Sequence, residues 1–238
     1  MKNAIVLCSG GLDSVVASHY IFKKGKYGKI IILFFNYKQR TLKQERIASK
    51  KCAKDLNADF FEINLNWLGG LSSSLINTKK KAKKIRRKQL GDTAKEAENY
   101  YVPFRNSVFL ISAMALAEAK CIKNKEKYDI IVGFKCEGRE PYPDTTKNFV
   151  KKINSLGKSS LEEIKVFAPL IEFDKDKIVL LGKHLNVNMK NTYSCYVGTG
   201  KKHCGSCLSC RLRQEAFYWA NVKDPTKYKI KMKDFRIA

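Results

Sequence analysis

A chain of 238 residues with 47 lysines and arginines against 22 aspartates and glutamates has a formal charge of +25 and a mean hydropathy of −0.35. That length accommodates one sizeable core and a small appendage, and no apolar run reaches the roughly 20 residues that a membrane helix needs. The opening MKNAIVLCSGG is apolar only over residues 4–8 before its glycines, so neither a signal peptide nor a membrane partner is expected and the chain is placed in the cytoplasm.

Short apolar runs alternate with helical patterns along the chain. Residues 4–8, 30–35, 60–65, 129–133 and 165–168 read as strands, and the first four are nearly continuous in apolar residues, as strands covered on both faces are. Helices are predicted over 14–24, 41–57 and 106–120. In the second, Leu42, Ile47, Cys52 and Leu56 fall near one face, and the third is apolar nearly all round. Asp174 is expected to cap a further helix running to about Asn186. This alternation implies an α/β fold with right-handed crossovers, doubly wound around a mainly parallel five-stranded sheet. Ligands in such sheets bind beyond the carboxyl ends of the strands, where the strand order reverses. His19 and His184 fall within helices and read as structural.

Residues 68–100 fit no element well and read as an insertion, flexible or folded over the site, within a main domain spanning 1–190. Their basic run KKKAKKIRRK (79–88) carries no interleaved aromatics for base stacking. Lysine is spread almost evenly along the chain, so the charge reads as solvated surface and no stable nucleic-acid partner is expected. Residues 191–238 read as a small zinc-binding module, whose amphipathic helix after Cys210 is expected to pack it against the main domain.

The turn SGGLDS falls between the first strand and the first helix, where a phosphate site is expected. Gly10 and Gly11 let the backbone turn tightly and approach a ligand. Amides at the helix start favour an anion, and Ser9 and Ser14 add hydroxyl donors. Asp13 suits a role in holding a divalent cation or in capping the helix. The glycines match neither the Walker A pattern nor the dinucleotide fingerprint, and the plain alternative is an ordinary strand–turn–helix corner.

Of the eight cysteines, Cys8, Cys52, Cys121 and Cys136 are scattered, whereas Cys195, Cys204, Cys207 and Cys210 give C-x8-C-x2-C-x2-C. Four thiolates at this spacing suit a tetrahedral structural zinc without an open coordination position. Lys201 and Lys202 would partly offset the charge of the tetrathiolate. An iron–sulfur cluster and catalytic thiols are the alternatives on ligand count, and His203 reads as a solvated neighbour of Cys204.

SGGLDS resembles the loop of the PP-loop ATP pyrophosphatases, which cleave ATP between the α- and β-phosphates and adenylate a carbonyl oxygen. Together with NYKQRTLKQE, VPFRNSVFL, GFKCEGREPYPDTTKNF, APLIEFDK and the four-cysteine tail, the chain resembles the 7-cyano-7-deazaguanine synthase (QueC) family over nearly its whole length. The resemblance implies an ATP-dependent carbon–nitrogen ligase. It would turn 7-carboxy-7-deazaguanine and ammonia into 7-cyano-7-deazaguanine through adenylated carboxylate and amide, in queuosine or archaeosine biosynthesis, with ATP, Mg2+ and Zn2+ and as a possible homodimer. On this resemblance Leu7, Cys8, Ser9, Gly10, Gly11, Leu12, Asp13 and Ser14 would cradle the nucleotide, and Gln39 and Arg40 would flank adenine. Asp13, Ser14 and Arg105 would be catalytic, and Asn106, Glu137, Tyr142 and Asp144 would contact substrate. The chain departs from the common YGQRH and GYPDCR patterns at Thr41 and Thr145. Three competing readings follow from the same residues: a ligase using another amine such as a protein N-terminus, a tRNA-modifying PP-loop enzyme, and a zinc-module nucleic-acid binder.

Overall fold

The computed structural model describes residues 1–135, 142–198, 200–231 and 234. Strands β1 (Asn3–Leu7), β2 (Ile30–Asn36), β3 (Asp59–Asn64), β4 (Tyr128–Val132) and β5 (Val166–Phe167) form one sheet in the order β3-β2-β1-β4-β5. Every pairing is parallel. The sheet is therefore the expected doubly wound α/β arrangement, with β1 at its centre and the reversal of strand order between β1 and β4.

Side chains along the central strands alternate between two cores. Ile5, Leu33 and Ile130 face one core, and Val6, Ile32 and Ile131 face the other. Both faces are covered, which is why these strands read as unbroken apolar runs. β3, at an edge, mixes exposed and half-buried positions along DFFEIN and has no fully buried one.

Helices α1 (Leu12–Lys24) and α7 (Lys175–His184) cover the second face through Val16, Ala17, Ile178 and Val179. Helix α2 (Leu42–Asp55) packs beside α1. Helix α5 (Arg105–Asn124) covers the first face through Leu110, Ala113, Met114 and Ala117. Its expected all-round burial does not occur: Ile111 and Ile122 are half-exposed, because one stripe suffices to cover the sheet. Asp174 sits at the start of α7 without capping it, and its carboxylate instead pairs with Lys177 at 3.1 Å.

The insertion is folded against the body. It carries the short helices α3 (Asn66–Gly70) and α4 (Ala94–Glu98), and it buries Leu75, Ile76, Ile85 and Tyr100 in the first core. The Leu75 amide donates to Asn99 O at 2.8 Å, and the Ile85 amide donates to Ser206 O at 2.9 Å. Between these anchors most of residues 79–84 are exposed. Helix α6 (Lys147–Gly157) lies beside α5, and α8 (Leu208–Trp219) packs on α7, sending Phe217 into the second core.

Candidate active site and metal centre

β1 ends level with β4, Leu7 opposite Val132, and three residues short of β2, where Leu7 lies opposite Leu33. The turn that follows therefore opens at the carboxyl edge of the sheet. Gly10 has φ +77°, and a Cβ there would lie 2.6 Å from Ala48 Cβ and 2.8 Å from Glu45 O, so only glycine lets the turn press onto α2. Gly11 begins α1, and no side chain caps that helix. Its amide donates to Ser9 Oγ at 3.3 Å, and Ser14 Oγ donates to Gly11 O at 3.1 Å. The first-turn amides of α1, two hydroxyls and the positive helix end thus share one cleft, which is an anion receptor.

The cleft is lined by residues 7–9 and 11–14 of the turn, with Gln39, Arg105 and Asn106. Gly10 lies behind the turn. Arg105, half-buried at the start of α5, donates Nε to Asn106 Oδ1 at 3.2 Å and stands 6.0 Å from the Phe109 ring centre. Among the described residues no carboxylate lies in ion-pair range of it. Lys175 Nζ reaches across from α7 to Asp13 Oδ2 at 2.7 Å, while Asp13 Oδ1 is buried with no hydrogen-bond partner.

Gln39 is buried and held by the backbone. It accepts from the Tyr37 amide at 3.0 Å and donates to Phe35 O at 3.0 Å and Glu45 Oε2 at 3.1 Å. Glu45, whose other oxygen accepts from Thr41 Oγ1, also lines the cleft, and burial pushes its carboxyl above the ordinary value. Cys8 is drawn down to about 7 by its hydrogen bond with Cys52, against the effect of burial.

Three expected contacts are not in the cleft wall. Arg40 turns away, donating to Thr78 O and Lys80 O at 3.0 Å each, because the folded insertion offers it carbonyls. Tyr142 donates its hydroxyl to Ala97 O at 3.0 Å. Asp144 is buried behind Asn106, accepting from its amide at 3.4 Å and from its side chain at 3.2 Å, and so fixes the start of α5. Glu137 lies outside the described residues.

The four clustered cysteines converge. Cys195 and Cys207 Sγ are 4.0 Å apart, Cys204 and Cys210 Sγ are 3.8 Å apart, and all four lie within 4.8 Å of one another. A tetrahedron with metal–sulfur bonds of about 2.3 Å has edges of about 3.8 Å, whereas a disulfide needs about 2.05 Å. The donor set therefore fits a metal and excludes bridges. Amides of Gly198 and Cys204 donate to Cys195 Sγ at 3.1 and 3.4 Å, and the Cys207 amide donates to Cys204 Sγ at 3.3 Å, so the loop is built for negative sulfur. His203 is not solvated. It is buried, its Nε2 accepts from the Ser194 amide at 2.9 Å, and burial pushes it down to about 4, so it stays neutral.

A family model described as "Queuosine biosynthesis protein QueC" matches residues 3–221. The chain belongs to the QueC family of enzymes. Curated relatives named 7-cyano-7-deazaguanine synthase are 38% identical to it. The one from Methanosphaera stadtmanae covers 94% of this chain and 97% of its own, and that of Methanococcus maripaludis covers 94% and 98%. The Nitratiruptor relative covers 95% and 98%. A solved NMN synthetase from Francisella tularensis superposes with TM-score 0.41 at 15% identity, over 92% of this chain and 84% of that one, and adds nothing to the fold already described.

In this QueC-family chain, sequence reasoning missed five residues that line the cleft. Lys175 was visible in APLIEFDK but had no neighbour in sequence to reveal its target. Glu45 was readable as the acid of the first turn of α2, though not as a buried one. Tyr193, Ser194 and Ser209 line the same cleft from beside the four cysteines, which no sequence signal announced. Gly133 also has a role: a Cβ there would lie 2.8 Å from Ser14 Cα, so it lets α1 seat against the end of β4.

Proposed function

We propose that this chain converts 7-carboxy-7-deazaguanine, ammonia and two molecules of ATP into 7-cyano-7-deazaguanine, two AMP and two pyrophosphates. The observation that carries this is the pairing, in one cleft, of a helix start without a side-chain cap behind a glycine turn with a guanidinium, Arg105, that interacts with the charges of Asp144 and Glu45 but closes no ion pair with a described carboxylate. The first receptor suits a triphosphate and the second a carboxylate. The family and the names of the relatives supply the substrate class.

In the first round a carboxylate oxygen attacks the α-phosphate, pyrophosphate leaves, and ammonia displaces AMP to give the amide. In the second, the amide oxygen is adenylated and leaves as AMP while the nitrogen loses its protons, forming the nitrile. Carbon–oxygen cleavage is slow from a carboxylate or amide and fast once the oxygen carries AMP. Ser9, Gly11 and Ser14 would hold the phosphates, and Arg105 with Asn106 would orient the carboxylate towards them. Lys175 would follow charge onto the departing pyrophosphate. The partnerless Asp13 Oδ1 fits a magnesium ion accompanying the nucleotide, whose charge would offset that of the phosphates. Zinc in the cysteine cluster would be structural, since four thiolates fill its coordination.

The test is mass spectrometry of purified protein incubated with ATP, magnesium, ammonia and the carboxylate. Nitrile, AMP and pyrophosphate are expected. Unchanged carboxylate with ammonia, alongside a new adduct with a peptide amine, would replace ammonia by another acceptor.

A further inference from the structure

Residues 192–195, of which Tyr193 and Ser194 line the cleft, join the glycine turn to the thiolate cluster. At one end stands Cys195. Two residues earlier, the Tyr193 amide donates to the Gly10 carbonyl at 2.8 Å. A trans peptide holds its C=O and N–H in opposite directions. Fixing the Gly10 carbonyl on Tyr193 therefore turns the Gly11 amide the other way, to Ser9 Oγ at 3.3 Å on the cleft side. Gly10 has no room to yield on its far side, where α2 packs against it.

Each residue of this segment is clamped in turn. Thr192 Oγ1 accepts from Arg213 at 2.7 Å, and Ser194 Oγ accepts from the same guanidinium at 3.0 Å. The Ser194 amide meets His203 at 2.9 Å and its carbonyl meets Ser209 Oγ at 2.5 Å, while Cys195 Sγ receives the Gly198 and Cys204 amides. All these clamps interleave in sequence with the four cysteines or lie one turn beyond them.

We infer that residues 192–195 are a positioning strap, through which metal occupancy of the four-cysteine cluster orients the Gly10–Gly11 peptide and so sets the nucleotide affinity of the turn. This rests on the nucleotide-binding reading above. Without metal, four crowded sulfurs have no common centre, Cys195 loses its anchor, and the Tyr193–Gly10 bond no longer fixes the peptide plane. Tyr193 acts through its backbone and is a positioning residue.

The experiment compares full-length protein as zinc-loaded, chelator-stripped and zinc-restored samples, reading ATP affinity by calorimetry and amide hydrogen exchange residue by residue. Stripping is expected to weaken ATP binding about tenfold and to speed exchange at Gly11 and Tyr193 while β1 and β4 stay protected, with zinc restoring both. Where stripping unfolds the whole chain, the double variant Thr192→Val/Ser194→Ala decides, since it keeps all four thiols. It should retain full metal content with weaker ATP binding and faster exchange at Tyr193. Metal-free protein with unchanged exchange at Gly11, or a strap variant with full metal and wild-type ATP affinity, overturns the coupling. Failure of the zinc-loaded wild type to bind ATP counts against the nucleotide reading alone. Exchange at Gly11 and Tyr193 needs no nucleotide and still decides the strap.

Discussion

Lys175 and Asp13 are 162 residues apart in the chain and 2.7 Å apart in space. The pair is only partly exposed, so the lysine is held ready beside the turn rather than swept by solvent. Lys175→Met should lower AMP release about 10²- to 10³-fold, the loss typical of a single transition-state donor, while the melting temperature moves little. Unimpaired turnover would remove Lys175 from the chemistry. Glu45 makes a different prediction. Burial raises its carboxyl above 4.5, so protonation stabilises the fold at low pH and that stability is lost as pH rises through the raised value. Above that range the tendency of the carboxyl to ionise works against the buried site. Glu45→Gln should therefore raise the melting temperature at pH 7, with the gain vanishing near pH 4. A gain that is constant with pH would show that ionisation is not the cause.

At the scale of elements, the turn after β1 is set by what surrounds it. Gly10→Ala would place a methyl group 2.6 Å from Ala48 Cβ at a left-handed φ, and should cost about 2 kcal/mol or more together with ATP binding. Differential scanning calorimetry and a nucleotide titration check this, and a variant of native stability would contradict the close approach. The cysteine loop is equally constrained: Gly205 has φ +88°, and a Cβ there would lie 2.1 Å from Ile230 O. Cys207→Ser should release the metal and lower the melting temperature, because binding energy at such sites is folding energy. Elemental analysis finding native metal content in that variant would refute the four-sulfur site.

Across the whole molecule, the insertion ties the sheet to the metal module: Ile85 reaches Ser206, and Tyr100 lies 5.3 Å from the Tyr196 ring. Its anchored ends leave an exposed, lysine-rich span at 79–84. Limited trypsin digestion should cut there first, and the nicked protein should stay associated through its flanking contacts. A first cut elsewhere would show the span to be better protected than its exposure implies. Among the described residues no helix is long and apolar enough to cross a membrane.

The sequence by itself determined the local chemistry. Unbroken apolar runs made buried parallel strands legible, paired glycines marked a tight turn at the first strand–helix junction, and cysteine spacing marked a metal site, because each depends on residues near one another in the chain. The tertiary structure alone decided which distant groups meet. It brought Lys175 to Asp13, buried Glu45 and His203, and turned Arg40 onto the insertion instead of the cleft. It also sent Arg211 and Arg213 into full burial beside Asp234 and Asp224. Periodicity reports which face of an element is apolar, but not which partner that face finds. Long-range polar contacts are set by how the layers stack, and no local pattern in the chain encodes that stacking.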